Sequence, residues 1–192
     1  MKKSLFIIAA LIAGFGFAQE KGKFRGGLDL GYVTASGGGG ILVDLEFKYN
    51  VTDNSNVGLR LGTAVFGRGV EGDGTELDVN VSGNGSYLAT YDYYFNNGSS
   101  SFAPFVGAGL GIYSLAAIEF SSSNDDIITT GDFGASTEFG GMLRAGAEIG
   151  KFRLGFEYNL LPKTEFVGGG EAKNSYFGFS LGFYLGGGKW GS

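Results

Sequence analysis

The chain has 192 residues, 38 of them Gly and 2 Pro, with 15% aromatic residues, no Cys, no His and a formal net charge of -5. Without Cys there is no disulfide, thiolate metal site or lipid-modified cysteine, and without His the commonest general base and commonest zinc ligand are gone. The 14 Lys and Arg form no basic run, which excludes a nucleic-acid partner, because phosphate binding needs clustered cations.

The first predicted element is a signal peptide over residues 1–18. Lys2 and Lys3 precede an apolar run from Leu5 to Ala13, and Gly16-Phe17-Ala18 sets small residues around a cleavage point before Gln19. A membrane-spanning anchor needs roughly 20 apolar residues, and Gln19, Glu20 and Lys21 interrupt this one too early. Cleavage removes two lysines and no acids, so residues 19–192, read as a single domain, are more acidic than the whole.

From Phe24 onward apolar residues recur with a period of two, and no long segment repeats at 3.6. At 24–34, Phe24, Leu28, Leu30 and Tyr32 oppose Arg25 and Asp29. At 41–51, Ile41, Val43, Leu45, Phe47, Tyr49 and Val51 oppose Asp44, Glu46, Lys48 and Asn50. At 57–68, Val57, Leu59, Leu61 and Val65 oppose Arg60 and Arg68. The run 77–95 sets Leu77, Val79, Val81, Tyr87, Tyr91, Tyr93 and Phe95 against Asp78, Asn80, Asn84 and Asp92, with Gly83 and Gly85 as expected bends and its upper half projecting beyond a membrane.

The uncharged run 102–116 puts Phe102, Val106, Ala108, Leu110 and Ile112 on one face, with Phe105, glycines and Tyr113 on the other. At 138–149, Phe139, Leu143, Ala145, Ala147 and Ile149 oppose Glu138, Arg144 and Glu148. At 152–160, Phe152, Leu154, Phe156, Tyr158 and Leu160 oppose Arg153 and Glu157, and 175–185 carries Phe177, Phe179, Leu181, Phe183 and Leu185. Gly150-Lys151 reads as a two-residue type II′ turn. It sets Ile149 opposite Phe152, Glu148 opposite Arg153, Leu143 opposite Tyr158 and Arg144 opposite Glu157, giving two opposite-charge pairs on one face.

Eight amphipathic strands predict an all-β fold, a closed antiparallel up-and-down transmembrane β-barrel. The periodicity is equally compatible with a soluble barrel whose apolar face points inward. Export, the continuous aromatic-rich apolar face and the small residues on the charged face favour the membrane, where every backbone group must pair and only a closed sheet spans. Residues 52–56, 96–101 and 150–151 are the expected short periplasmic turns, and 35–40, 69–76, 117–137 and 162–173 the longer outer loops. Tyr49, Tyr91, Tyr93, Phe95, Phe102, Phe152 and Phe183 then fall at the periplasmic interface, and Tyr32, Phe139, Tyr158 and Phe177 at the outer one.

The segment Pro104-Phe105-Val106-Gly107-Ala108-Gly109-Leu110-Gly111 and the strand Leu154-Gly155-Phe156-Glu157-Tyr158 resemble recurrent strands of the small eight-stranded outer-membrane β-barrels, the OmpX-like proteins and the membrane domain of OmpA-like proteins. The resemblance covers residues 19–192 and implies an outer-membrane location with both termini in the periplasm. It also implies assembly by the barrel-assembly machinery and contact with outer-membrane lipids and lipopolysaccharide. Two departures stand out. The last aromatic strand residues, Phe183-Tyr184-Leu185, are followed by seven more residues, and no room follows the barrel for the periplasmic peptidoglycan-binding domain of OmpA-like proteins.

The candidate lumen residues are Arg25, Asp29, Asp44, Glu46, Lys48, Arg60, Asp78, Asp92, Arg144, Glu148, Arg153 and Glu157. An eight-stranded lumen is only wide enough for side chains, so these charges are expected to form an ion-paired structural plug in preference to a solute path or a catalytic carboxylate pair. Asn124, Asp125, Asp126 and Asp132 match no cation-loop spacing, and Gly37–Gly40 lacks the Lys and the helix of a phosphate cradle; both read as outer loops. Lipid-modifying barrel enzymes that resemble hydrolases use His as base, so no enzyme activity, catalytic residue, metal or cofactor is expected. The expected role is structural or interactive, for a monomeric barrel whose outer loops form the contact surface. The alternatives are a conduit for small or apolar solutes of the OmpW type and an accessory subunit of an envelope complex that docks through 117–137. The charged lumen strands weigh against the conduit, although Phe105, Tyr113 and Leu88 leave a partly apolar patch.

Overall fold

The computed structural model describes residues 20–35, 38–70, 78–96, 100–123, 126–128, 134–166, 170–172 and 174–187. The proposed signal peptide, Asn124, Asp125 and Asp132 lie outside them, as does the Asp78 side chain. Eight strands make the wall: β1 Phe24–Ala35, β2 Gly38–Asn50, β3 Ser55–Val70, β4 Asp78–Tyr94, β5 Phe102–Ser123, β6 Gly134–Ile149, β7 Phe152–Leu160 and β8 Tyr176–Gly186. Each pairs antiparallel with its sequence neighbours, and β1 pairs with β8 from Arg25↔Gly186 to Thr34↔Phe177, so the sheet closes with no free edge along that seam. Closure satisfies the backbone without help from solvent.

Alternation fixes which side is which. Leu59 is 65% exposed and its neighbour Arg60 2%, and the same inversion runs along every strand whose side chains are described. The outer surface is a belt of Leu, Ile, Val, Phe and Tyr, with charge inside. A soluble barrel would turn this sheet the other way, so the chain is a membrane barrel. Among the described residues no helix is long and apolar enough to cross a membrane; the crossing is made by strands.

The described chain ends Glu20 and Gly187 and the connections 51–54, 95–101 and 150–151 lie at one end of the barrel, the tight end. β1–β2, β3–β4, β5–β6 and β7–β8 are joined at the other, the long-loop end, where only the β1–β2 connection is short. At the tight end Asn50 Nδ2 donates to the carbonyls of Glu20 and Gly187, both at 2.9 Å, which ties the two chain ends across the β1–β8 seam. The Gly150-Lys151 turn has Gly150 at φ +62°, and the β6–β7 register is Ile149↔Phe152, Glu148↔Arg153, Arg144↔Glu157 and Leu143↔Tyr158, as the turn predicts.

Strands run further than the sequence suggests at the long-loop end. Gly38–Gly40 belong to β2 and pair with Val33–Ala35, because the backbone ladder needs no side chain and these glycines offer no alternation to signal it. β5 continues to Ser123 and folds back on a short strand Asp126–Ile128, and Thr164–Phe166 pairs with Gly170–Ala172, so the expected third and fourth loops contain strand structure. The register between β3 and β4 passes unbroken through Gly83 and Gly85, so no bulge interrupts the ladder at the expected bends. The wall is uneven. β5 has 22 residues and β7 only 9, and Gly134–Gly140 of β6 pair with β5 but, among the described residues, with no strand on the β7 side.

Candidate functional site

Three layers fill the lumen. At the tight end Tyr94, Ala103 and Phe105 pack together, with the Tyr94 and Phe105 rings 5.5 Å apart. At the long-loop end Val33, Leu42, Ala64, Phe66, Leu88, Tyr113, Met142, Leu161 and Tyr176 form a continuous apolar cluster. Between them lie eleven of the twelve candidate residues, all buried.

The central layer turns on Glu46 and Asp92. Arg144 reaches Glu46 at 2.6 and 3.0 Å and Asp92 at 2.7 and 3.0 Å, so one guanidinium bridges β2 and β4 from β6. Lys48 Nζ lies 2.5 Å from Asp92 and 3.3 Å from Glu46, and Arg153 lies 3.2 Å from Asp92. Thr90 Oγ1 donates to Glu46 at 2.6 Å. Nearer the tight end Arg25 donates to Glu148 at 2.8 Å, and the Tyr94 hydroxyl donates to the same carboxylate at 2.8 Å. Toward the long-loop end Arg60 bridges Asp44 at 2.5 Å and Glu157 at 2.9 Å, with Met142 Sδ against its other nitrogen. Buried ion pairs of this kind gain most where the remaining donors and acceptors are also met, as they are not at Arg25 Nε, Arg60 Nε and Asp44 Oδ1.

The two opposite-charge pairs expected from the turn meet different fates. Arg153 stands 3.7 Å from Glu148, but Arg144 makes its ion pairs with Glu46 and Asp92, and Glu157 makes its own with Arg60. The reason is geometric: in so narrow a lumen a long guanidinium reaches the far wall, where charges of opposite sign converge, as readily as the next strand. Register fixes the neighbours, and closure decides the partners.

Residues outside the charged candidate set complete the network. The Tyr184 hydroxyl lies 2.6 Å from Asp29 Oδ2 and 2.9 Å from Glu46 Oε2, and its ring lies under Arg25 and Lys48 at 5.0 and 4.9 Å. Asn159 donates to Glu157 at 2.7 Å and accepts from Tyr113 at 2.8 Å. The guanidinium of Arg153 lies 3.8 Å from the Phe105 ring centroid, close enough for a cation–π contact. Their signal was parity: each falls on the inward-facing parity of its strand, opposite the apolar residues of the outer belt. The described residues include no group of three or more acids placed to hold a metal ion.

No family model and no curated protein matches the chain. Among solved structures it is similar to the N-terminal β-barrel domain of Pseudomonas aeruginosa OprF, at 14% identity and a TM-score of 0.51, covering 88% of this chain and 99% of that one. It is also similar to Neisserial surface protein A, at 13% identity and a TM-score of 0.51, covering 85% and 95%. At these identities the likeness is one of fold, and the fold is that of the small eight-stranded outer-membrane β-barrels.

Proposed function

We propose that the chain is a non-enzymatic outer-membrane barrel with a structural or interaction role. Its lumen is shut by side chains, and its longer connections face outward as a contact surface for lipopolysaccharide or an envelope partner. The observation that carries this is the filled interior, in which a cross-lumen ion-pair layer is capped by an apolar layer. The eleven described charged candidates act as plug residues in this reading, and the barrel works as a monomer with its termini in the periplasm.

The test is conductance of the refolded barrel in a planar bilayer, beside Arg60→Ala and Arg144→Ala. A silent wild type and leaking variants are expected, because each substitution removes a guanidinium that bridges two walls. Steady wild-type conductance would overturn the closed reading.

A specific observation favours a second reading, a conduit for apolar solutes. The long-loop third of the lumen is apolar, and beside it β7 stops at Leu160 while β6 begins at Gly134. Among the described residues, that leaves a stretch of wall without strand pairing on the β7 side. Such a route would leave the bilayer electrically silent, yet pass an apolar dye into protein-containing vesicles faster than into empty ones, with Leu88→Arg abolishing the difference. Equal dye entry into both would dismiss it.

A further inference from the structure

Within the strands the described lumen cations are Arg25, Lys48, Arg60, Arg144 and Arg153, and the carboxylates are Asp29, Asp44, Glu46, Asp92, Glu148 and Glu157. Lys151 stands outside this section, in the tight turn at the rim. The packed layer therefore has one carboxylate too many, and the ion pairs say where. Asp44, Glu46, Asp92, Glu148 and Glu157 each face a cation within 4 Å, whereas Asp29 makes no ion pair among the described residues. Across the β1–β2 ladder Asp29 stands directly opposite Asp44. Like charges so placed repel at any depth and far more where water is excluded.

The surroundings confine both groups. A Cβ on Gly182, the β8 partner of Asp29, or on Gly62, the β3 partner of Asp44, would collide with the Oδ1 of its carboxylate, so each acid is folded over a bare backbone. Both Oδ1 atoms are buried and have no hydrogen-bond partner. Asp29 and Asp44 line one internal cavity of about 10 Å³ with Ser180, Arg60, Arg153 and Glu157, room for about one water centre. Tyr184 adds a third sign. Its hydroxyl is within hydrogen-bond distance of both Asp29 and Glu46, and a hydroxyl carries a single proton. Glu46 sits among Arg144, Lys48 and Arg153 and is a pure acceptor, so when Tyr184 donates to Glu46 the contact with Asp29 needs a proton from the aspartate side.

We propose that the Asp29–Asp44 pair is a proton-binding site that holds one proton inside the closed barrel. The proton sits on the Asp29 carboxyl and is donated to the Tyr184 oxygen, while the Tyr184 O–H is donated to Glu46. No other bond changes. The layer is then neutral, and Asp44 remains the acceptor of Arg60. The groups facing the pair are Arg60 from β3, Glu46 from β2, Arg144 from β6, Arg153 and Glu157 from β7, and Tyr184 and Ser180 from β8. This inference rests on the lumen alone and stands or falls independently of what the outer loops contact.

The test is infrared difference spectroscopy of the refolded barrel at neutral pH, following the carbonyl band of a protonated carboxyl that shifts on deuteration. The expected result is one such band in the wild type, its loss in Asp29→Asn, and an unchanged melting temperature in that variant, since the amide replaces the protonated acid in shape, charge and donor. Asp92→Asn, which strips a partner from Lys48 and Arg144, is expected to keep the band and melt earlier. A wild type without the band would overturn the proposal, as would a band that survives Asp29→Asn. So would a band abolished by sodium chloride, which would make the pair a cation site. Should Asp29→Asn fail to fold, Tyr184→Phe decides: it removes the proton's acceptor, and the band is expected to move to the frequency of a less strongly hydrogen-bonded acid, whereas an unmoved band overturns the assignment.

Discussion

Large lumen side chains and glycines come in complementary pairs. A Cβ on Gly107 would strike Asp92, one on Gly27 the Tyr184 ring, and one on Gly178 the Glu157 side chain. Much of the glycine content is therefore space for the charged layer. Gly107→Ala is expected to cost about 1–3 kcal/mol by overpacking, because both an Asp92 oxygen and the Tyr91 carbonyl stand in the way. Gly83→Ala meets nothing within 4 Å and is expected to be neutral or to stabilise by about 0.4–1 kcal/mol. Urea unfolding of the two variants in lipid vesicles compares them directly, and equal effects would refute the space argument. At this scale the sequence was informative about which residues face inward and silent about whom they touch. Arg144 opposite Glu157 could be read from one turn; Arg144 against Glu46, from strands nearly a hundred residues apart, could not.

A single hairpin sets the register for one quarter of the wall. The β6–β7 ladder is anchored at Gly150, whose φ of +62° is strained for residues with a side chain, while a Cβ there would meet nothing within 4 Å. Gly150→Ala therefore tests backbone strain alone, with an expected loss of about 1–3 kcal/mol in the same unfolding experiment. A loss below a few tenths would show that another feature fixes the register. Strands 152–160 and 41–51 were legible because charge alternates with apolar residues on every step. The long-loop ends of β2, β3 and β5 were not, since Gly38–Gly40 and Ser121–Ser123 carry no alternation for a period of two to reveal. The apolar lumen layer was legible only in part: Leu88 and Tyr113 read as an apolar patch of the lumen, whereas Leu42 and Ala64 sit on the charged parity, where single apolar residues look like noise until closure brings them together.

The uneven wall sets the whole molecule in the membrane. Strand β8 has 11 residues, about 36 Å of extended chain, or about 28 Å along the axis at a tilt near 40°. That matches an apolar band of about 25 Å. The 22 residues of β5 reach far beyond it, which predicts that the short β7–β8 wall matches the bilayer while the long one projects from it. Rings mark both margins of the short wall: Phe152 with Phe183 at the tight end, 5.4 Å apart, and Tyr158 with Phe177 at the other, 4.4 Å apart. Leu181 lies midway along β8, opposite Leu30 and Leu154, while Leu185 lies at its tight end. If the short wall spans the hydrocarbon, Leu181→Arg is expected to cost about 2–4 kcal/mol and Leu185→Arg at most about 1 kcal/mol. Both side chains are already exposed in the structure, so neither change disturbs the lumen and the difference reports depth alone. Equal costs at the two positions, measured by vesicle unfolding, would place the bilayer elsewhere on the wall and detach the outer projection of β5 from its proposed role as a contact surface.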